Sequence, residues 1–372
     1  MRVALVHDWL TGMRGGEHVL AELCGMFPDA TVYTLVHAPG AVPPIESAHA
    51  IVPSLLDRLP FGRSHYRLYL PAFPALARTL AIDPTVDLVI SSSHAAAMSV
   101  RAPDGAVHVC YCHSPMRYIW GDADDYFAFG PFRTVRSAAL RAVRPYLRRW
   151  DLRSSERVDR FLANSEFVAE RIRHIYGRDA TVVYPPVDTD FYTPAAGERS
   201  AEALVVSALV PHKRVDLAVR AYSERGWPLA IVGEGIERRA LERIAGPTCR
   251  FLGRISRERL RELYRTADLL VVPGREDFGI AIVEAQACGL PVVALAEGGA
   301  CETVVQDATG QLFHERSTDA VTAAVVRARS ASYAPAVIRS NAERFAAHRF
   351  RAHVRDVVAE AMAARRRRPT TR

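Results

Sequence analysis

The most constraining stretch of this 372-residue sequence is 267–295. It opens with an apolar run typical of a buried strand, which a Pro-Gly pair and an acidic loop bring to an end. Residues 280–288 have helical character, and Gly289 suits the left-handed position at the end of a helix. The apolar run 292–295 predicts the next strand. The order strand, loop, helix, strand is that of a parallel α/β sheet.

Two glutamates mark this stretch. Glu276 lies in the loop at the carboxyl end of the strand, where open α/β sheets bind ligands, and Glu284 lies in the helix. Free N–H groups at the start of a helix suit a phosphate, whereas carboxylates accept hydrogen bonds from the hydroxyls of a sugar or ribose. The alternative is that Glu276 complements the helix dipole and Glu284 is an exposed helix residue.

Length and composition indicate a globular protein with two domains of average size. Hydrophobic residues make up 49% and charged residues 24% of the chain, as in soluble proteins. No apolar run approaches the roughly 18 residues needed to cross a bilayer. The N-terminus reads as a short strand and lacks the pattern of a signal peptide, so we expect a cytoplasmic protein.

The six cysteines are scattered and do not indicate a disulfide framework. His108, Cys110 and Cys112 alternate on a predicted strand, but the one-residue spacing of the cysteines is not that of zinc sites. Small buried thiols explain this alternation better than a metal does. We therefore expect no metal ion.

The net charge of +7 is concentrated in arginines. Nine of them lie in 133–160, and four more begin the C-terminal tail, 365–372. Such runs are either a solvated helix face and a disordered tail, or surfaces that contact an anionic partner. No nucleic-acid-binding motif accompanies them, so contact with an anionic membrane is preferred to nucleic acid.

The first strand, 3–7, leads to a glycine-containing turn and a helix predicted from about His18 to Met26. Gly15 and Gly16 let backbone approach a diphosphate closely, but their spacing is not that of the three-glycine dinucleotide fingerprint. This argues against a Rossmann oxidoreductase. The segment 38–84 is rich in proline and aromatic residues, a composition typical of an insertion that forms the wall of a binding site.

Four further residues follow predicted strands. His113 lies just past the strand at 107–112, and His94, a weaker candidate, follows the strand at 86–91. Either could instead be a structural histidine. Lys213 and Arg214 stand where a strand meets the start of a helix, a position suited to a diphosphate, unless they are simply surface cations.

Together these motifs resemble the family 4 retaining glycosyltransferases. The resemblance rests on two glutamates with seven residues between them and Phe-Gly after the first, and on His-Ser-Pro at 113–115, and it covers nearly the whole chain. It implies the α/β GT-B fold: two Rossmann-like β/α/β domains facing across a cleft. Residues 1–195 would form the acceptor-side domain, joined by a closing helix at about 346–372, and 196–345 would bind the nucleotide-sugar.

The resemblance also implies the roles of particular residues. Catalytic roles fall to His113, Glu276 and Lys213, with Glu284 on the ribose hydroxyls. Many family members have an Arg at the place of Ala208, and Arg214 is a hypothetical replacement for it. The implied donor site comprises Gly15, Gly16, Glu17, Lys213, Arg214, Gly253, Arg254, Ile255, Glu276, Asp277, Phe278, Gly279, Ile280 and Glu284.

The run 112–120 is similar to mannosyltransferases of O-antigen and related polysaccharide assembly. It implies transfer of mannose from GDP-mannose to an acceptor hydroxyl in polysaccharide or glycolipid assembly, without a cofactor and at the inner face of the cell membrane. The alternatives are a UDP-sugar-dependent enzyme acting on a small-molecule or lipid acceptor, a GT-B sugar-nucleotide 2-epimerase, and a non-catalytic nucleotide-binding subunit.

Overall fold

A computed structural model of the chain describes residues 1–121 and 133–367. Its contacts divide the chain into two units, Met1–Pro186 with Phe350–Arg372, and Val187–Arg349. Within 1–121 and 133–367, no helix is both long enough and apolar enough to cross a membrane.

The N-terminal unit contains a parallel sheet whose described strands run in the order β3-β2-β1-β4-β5-β6-β7. Apolar clusters cover both faces of the sheet, which is why its strands are nearly continuous apolar runs. The strands are β1 (Val3–Leu10), β2 (Thr31–His37), β3 (Ile51–Pro53), β4 (Leu88–Ser93), β5 (Val107–Cys112), β6 (Arg160–Ala163) and β7 (Ala180–Val182). The described α-helices that precede Val187 are α1 (Gly15–Met26), α2 (Pro43–Glu46), α3 (Gly62–His65), α4 (Phe73–Ala77), α5 (Arg117–Trp120), α6 (Arg133–Ser155) and α7 (Glu166–Tyr176).

The C-terminal unit repeats this plan with described strands in the order β10-β9-β8-β11-β12-β13, again parallel. They are β8 (Ala203–Val206), β9 (Leu229–Val232), β10 (Cys249–Gly253), β11 (Leu270–Val272), β12 (Val292–Leu295) and β13 (Gly310–Phe313). The remaining described α-helices are α8 (Val215–Arg225), α9 (Arg238–Ile244), α10 (Arg257–Thr266), α11 (Ile280–Ala287), α12 (Ala300–Thr303), α13 (Thr318–Ser330), α14 (Pro335–Glu343) and α15 (Ala347–Arg367). Two parallel-sheet Rossmann-like units confirm the predicted α/β fold class.

Strand order reverses beside the first strand of each unit. β1 lies between β2 and β4, and β8 lies between β9 and β11. In open α/β sheets, ligands bind outside the carboxyl ends of the strands at such a reversal. Ligand-binding residues are therefore expected after β1, β4, β8 and β11.

The first division of the chain lies before Val187, whereas the sequence placed a domain boundary after residue 195. Val187 is the reason, because its N–H donates to the carbonyl of Phe345 and its carbonyl accepts from the N–H of Ala347. The segment that the prolines mark as a linker is thus tied into the C-terminal unit. Residues of α15 from Phe350 to Ala361 pack in one of the apolar clusters of the N-terminal unit.

The predicted start of the first helix was wrong. α1 begins at Gly15 and not near His18, so Gly15, Gly16 and Glu17 form its first turn. Segment 38–84 contains short helices, and its aromatic side chains include Tyr66 and Phe73 in the core.

The arginine-rich helix α6 is only partly a solvated face. Arg144 and Arg148 donate to the carbonyl oxygen of Ile119 at 2.8 Å each, while Arg141, Arg149 and Arg153 are exposed. The basic tail continues beyond Arg367 into 368–372, which lie outside the described residues.

Candidate active site

In the C-terminal unit, the cation and the carboxylate predicted to be catalytic are in direct contact. Lys213 follows β8 and Glu276 follows β11, so both leave the carboxyl ends of adjacent strands at the reversal of strand order. Lys213 Nζ lies 2.6 Å from Glu276 Oε2, and about a fifth or less of either side chain is exposed. A shielded ion pair at this position can bind a diphosphate through the ammonium and a hydroxyl through the carboxylate.

Glycines allow the loop of Glu276 to lie close to its neighbours. The carbonyl of Glu276 accepts from the N–H of Gly299, and a Cβ on Gly298 would lie 2.1 Å from the same oxygen. Gly298 also has a φ of +68°, which non-glycine residues rarely adopt. A Cβ on Gly274 would lie 2.5 Å from the carbonyl oxygen of Lys213. The positions of Lys213 and Glu276 therefore depend on two close backbone approaches.

The loop then enters α11. Gly279 is the residue before the helix, with a φ of +92°, and Ile280 is its first residue. Phe278 is buried with its ring edge-on to Phe345 at 5.4 Å between centroids, and Asp277 is buried beside it in the chain. The first turn of α11 thus presents backbone N–H groups next to the Lys213–Glu276 pair. Phosphate binding at this turn stays a prediction.

Glu284, in the second turn of α11, is held by aromatic hydroxyls. Tyr264 in α10 donates its hydroxyl to Glu284 Oε2 at 3.1 Å. Burial raises the pKa of Glu284 to about 7, and hydrogen bonds from Tyr264 and Tyr192 oppose the rise. Arg257, which stacks on Phe191 at 4.5 Å, opposes it through its charge. Glu284 is therefore a partly buried, hydrogen-bonded carboxylate and not an exposed helix residue.

The guanidinium of Arg214 is paired with the carboxylate of Asp216. Its Nε and Nη2 atoms lie 3.0 and 3.1 Å from the two oxygens of Asp216. Its φ of +48° places it in the left-handed region, immediately before α8. This pairing directs the guanidinium to the start of its own helix, and its suggested replacement of an Arg at Ala208 stays a prediction.

Gly253 is the last residue of β10, and Arg254 and Ile255 follow it. Gly253 is buried with a φ of +67°, and a Cβ there would lie 2.7 Å from Glu234 Oε1. Glu234 is itself paired with Arg238 at 2.6 Å. Arg254 is exposed and Ile255 is partly buried.

In the N-terminal unit, His113 lies past the end of β5, beside residues of β1 and β4 and the first turn of α1. Ser92 Oγ lies 2.8 Å from His113 Nε2 and 3.1 Å from His7 Nδ1. A Cβ on Gly16 would lie 3.3 Å from the ring of His7 and 3.6 Å from His113 Nε2. The first turn of α1 therefore lies directly against both imidazoles.

Asp8 organises the loop after β4. Its carboxylate accepts the backbone N–H groups of His94, Ala95, Ala96 and Ala97 at 2.5–3.0 Å, and His94 Nδ1 lies 3.1 Å from it. The candidate His94 thus lies in the same cluster as His113, 6.2 Å from it between ring centroids.

Glu17 lies in the first turn of α1 and is 3% exposed. Burial raises its pKa to about 7. Gly15, Gly16 and Glu17 therefore combine helix N–H groups with a carboxyl group that ionises near neutral pH.

The alternating residues of β5 have ordinary packing partners. Cys110 and Cys112 are buried in an apolar cluster with Phe161, and His108 Nε2 lies 2.8 Å from Ser91 Oγ. In the part of the chain that the structure describes, no group of three or more His, Cys, Asp or Glu residues is arranged to hold a metal ion.

The sequence analysis did not predict several residues that lie around His113 and around Glu284. His7, Asp8 and Ser92 are polar residues in apolar strands, and that contrast was a usable signal. Tyr264 and Tyr192 had no local signal, because only the fold brings them to Glu284.

Comparison with known proteins gives a consistent result. Residues 13–191 match the model of glycosyltransferase family 4, and residues 188–345 match glycosyl transferases group 1. A D-inositol 3-phosphate glycosyltransferase of Mycobacteroides abscessus is 36% identical over 190 residues, 44% of this chain and 43% of the relative. Its counterpart in Geodermatophilus obscurus is 36% identical over 208 residues, 46% and 45% of the two chains. The chain thus spans less than half the length of these curated relatives.

Solved structures share the fold over nearly the full length. Sucrose-phosphate synthase of Thermosynechococcus elongatus has a TM-score of 0.73 at 18% identity, covering 98% of this chain and 100% of the other. Anabaena HepE in complex with UDP-glucose has a TM-score of 0.69 at 19% identity, covering 97% and 100%. The two matched family models together span residues 13–345, and the chain belongs to the GT-B glycosyltransferases.

Proposed function

We propose that the protein is a retaining glycosyltransferase that moves a hexose from a nucleotide-sugar to an acceptor hydroxyl. The observation that carries this proposal is the contact of 2.6 Å between Lys213 and Glu276 beside the first turn of α11. Lys213 and the N–H groups of that turn stabilise charge on the leaving diphosphate, so the reaction needs no metal ion. Glu276 binds hydroxyls of the donor sugar, and Glu284 binds the ribose.

In this proposal, the residues around His113 and at the start of α1 take the remaining roles. His113 contacts the donor sugar, and Gly15, Gly16 and Glu17 lie against the diphosphate. A phosphate oxygen of the donor accepts the acceptor proton during attack from the same face, so no protein nucleophile is assigned.

GDP-mannose is the proposed donor, supported by the likeness of 112–120 to mannosyltransferases. A UDP-sugar is the second candidate, because HepE is a GT-B protein solved with UDP-glucose. Gly253, Arg254 and Ile255 border the base in either case.

The proposed acceptor is a saccharide on a polysaccharide or glycolipid under assembly, at the cytoplasmic face of the membrane. The exposed arginines of α6, Arg141, Arg149 and Arg153, support contact with anionic lipid. A phosphorylated small molecule is the second candidate, because the curated relatives are inositol 3-phosphate glycosyltransferases.

The deciding experiment is a thermal-shift titration with GDP, UDP, dTDP, ADP and NAD, with and without EDTA. A ligand that binds the folded state raises the melting temperature by mass action. We expect stabilisation by GDP that EDTA does not change and that Glu284→Ala abolishes. Glu224→Ala, an exposed glutamate of α8, is the matched control.

Other outcomes change the proposal in stated ways. Stabilisation by UDP alone keeps the reaction class and replaces the donor. Nucleotide binding with release of an epimerised sugar and no acceptor indicates a 2-epimerase, and binding without turnover indicates a non-catalytic subunit. A response to NAD alone, or to none of the five ligands, contradicts the glycosyltransferase proposal.

A further inference from the structure

A buried serine lies between two imidazoles in the N-terminal unit. His7 and Ser92 are register partners on the adjacent strands β1 and β4. Ser92 Oγ lies 3.1 Å from His7 Nδ1 and 2.8 Å from His113 Nε2. His7 and Ser92 are fully buried and His113 is partly buried, so water does not compete for the bonds between His7 and Ser92.

The Ser92 hydroxyl has one hydrogen and two acceptor lone pairs. If both imidazoles donated to Ser92 Oγ, this buried hydrogen would have no acceptor, because Ser92 Oγ has no further hydrogen-bond partner among the described residues. Two arrangements of the hydrogen atoms are therefore consistent. In one, His7 Nδ1–H donates to Ser92 and the Ser92 hydroxyl donates to His113 Nε2. In the other, His113 Nε2–H donates to Ser92 and the hydroxyl donates to His7 Nδ1. His7 is neutral in both, because burial lowers its pKa to about 3.

The second nitrogen of His7 decides between the two arrangements. His7 Nε2 is buried and has no hydrogen-bond partner among the described residues. The second arrangement would place a hydrogen on this nitrogen and leave a buried N–H without an acceptor. Buried N–H groups without a partner are rarer than buried acceptors without one. The first arrangement is therefore favoured.

We propose that His7 is a positioning residue that acts through Ser92 to hold His113 in the tautomer with hydrogen on Nδ1 and none on Nε2. The consequence for catalysis rests on the proposed function, in which His113 contacts the donor sugar. The imidazole of His113 then keeps one tautomer and one orientation, with Nε2 committed to Ser92. Without Ser92, the imidazole exchanges between tautomers and loses this orientation.

The tautomer is measured directly by long-range ¹H–¹⁵N correlation on protein labelled at histidine, with His113→Gln to assign the signal. This measurement uses the unliganded full chain and does not depend on the proposed reaction. We expect a protonated Nδ1 and an unprotonated Nε2 at His113. A protonated Nε2 in the wild-type protein overturns the proposal.

Substitutions then test whether His7 and Ser92 determine the tautomer of His113. Ser92→Ala and His7→Leu are expected to give mixed tautomers at His113 and about a tenfold lower kcat/KM, the loss of about one hydrogen bond. His7→Asn keeps an N–H donor near the place of Nδ1 and is expected to restore both properties. Unchanged tautomer and kcat/KM in Ser92→Ala and His7→Leu contradict the proposal.

Ser91→Ala is the matched control. Ser91 precedes Ser92 in β4, is equally buried, and pairs with His108 at 2.8 Å on the other face of the sheet. It is expected to lower stability without changing the His113 tautomer. If the wild-type protein shows the expected tautomer but transfers no sugar with any donor, the tautomer assignment stands and the proposed function fails.

Discussion

Ionisation of Glu284 is coupled to the stability of the unliganded C-terminal unit. Burial raises the pKa of this carboxyl from 4.5 to about 7, against the hydrogen bond from Tyr264. Between these two pH values the unfolded chain releases a proton that the folded chain keeps. The wild-type protein therefore loses stability as the pH rises from about 4.5 to about 7. Glu284→Gln keeps an acceptor for Tyr264 and has no proton to lose, so we expect the variant to escape this loss.

The structure sets the size of the effect. The difference of about 2.5 between the two pKa values corresponds to about 3 kcal/mol, at about 1.4 kcal/mol for each tenfold change in ionisation. Glu284 is only partly buried, so solvent screening reduces the expected difference in the free energy of unfolding to about 1–3 kcal/mol. For a unit of this size, the melting temperatures differ by about 3–9 °C.

Urea unfolding followed by circular dichroism, without nucleotide and across about pH 4.5–8, measures this difference. The two proteins are expected to be equally stable at the acidic end, with Glu284→Gln more stable above about pH 7. Glu224→Gln, an exposed glutamate of α8, should follow the wild-type curve. Curves for wild type and Glu284→Gln that stay parallel over this range would refute the reasoning.

Three further substitutions test other parts of the structure. Lys213→Met removes the cation of the shielded ion pair and should lower kcat for sugar transfer by about 100-fold. A change in KM without a change in kcat would contradict the proposed role of Lys213 at the leaving group. Gly298→Ala should lower the free energy of unfolding by about 3 kcal/mol in urea, since its Cβ would lie 2.1 Å from a backbone oxygen at a φ of +68°; wild-type stability would show that the loop shifts freely. Asp151→Ala should cost about 3 kcal/mol in the same assay, because Trp120 and Tyr176 both donate to Asp151 Oδ2 and would lose a buried acceptor; an unchanged midpoint would rule that out.

Local signals predicted the elements of the C-terminal unit well. The helix expected at 280–288 is Ile280–Ala287, Gly289 has the expected left-handed φ of +72°, and the strand at 292–295 is β12. Strand length, helix capping and glycine conformation are all decided within a few residues. The fold class follows from the alternation of these elements.

Contacts between distant parts of the chain were not predictable in this way. His7 contacts Ser92, 85 positions away, because β1 pairs with β4. The sequence of neither strand alone determines the register of a parallel pair. Tyr264 reaches Glu284 through the packing of two helices. The start of α1 was also wrong, because no side chain caps it and the glycines of its first turn resemble a loop in sequence.

Under the proposed function, the ion pair between Lys213 and Glu276 also affects how the site discriminates among anions. Two opposite charges 2.6 Å apart nearly cancel at a distance, so the site attracts a passing free phosphate only weakly. Inorganic phosphate that displaced the carboxylate would give Lys213 a new partner and leave Glu276 without one. A molecule that brings both an anionic group and hydroxyl groups satisfies the two side chains together. Under the proposed function, the paired state therefore disfavours small anions that cannot satisfy Glu276, and it lowers the affinity for every ligand that must separate the pair.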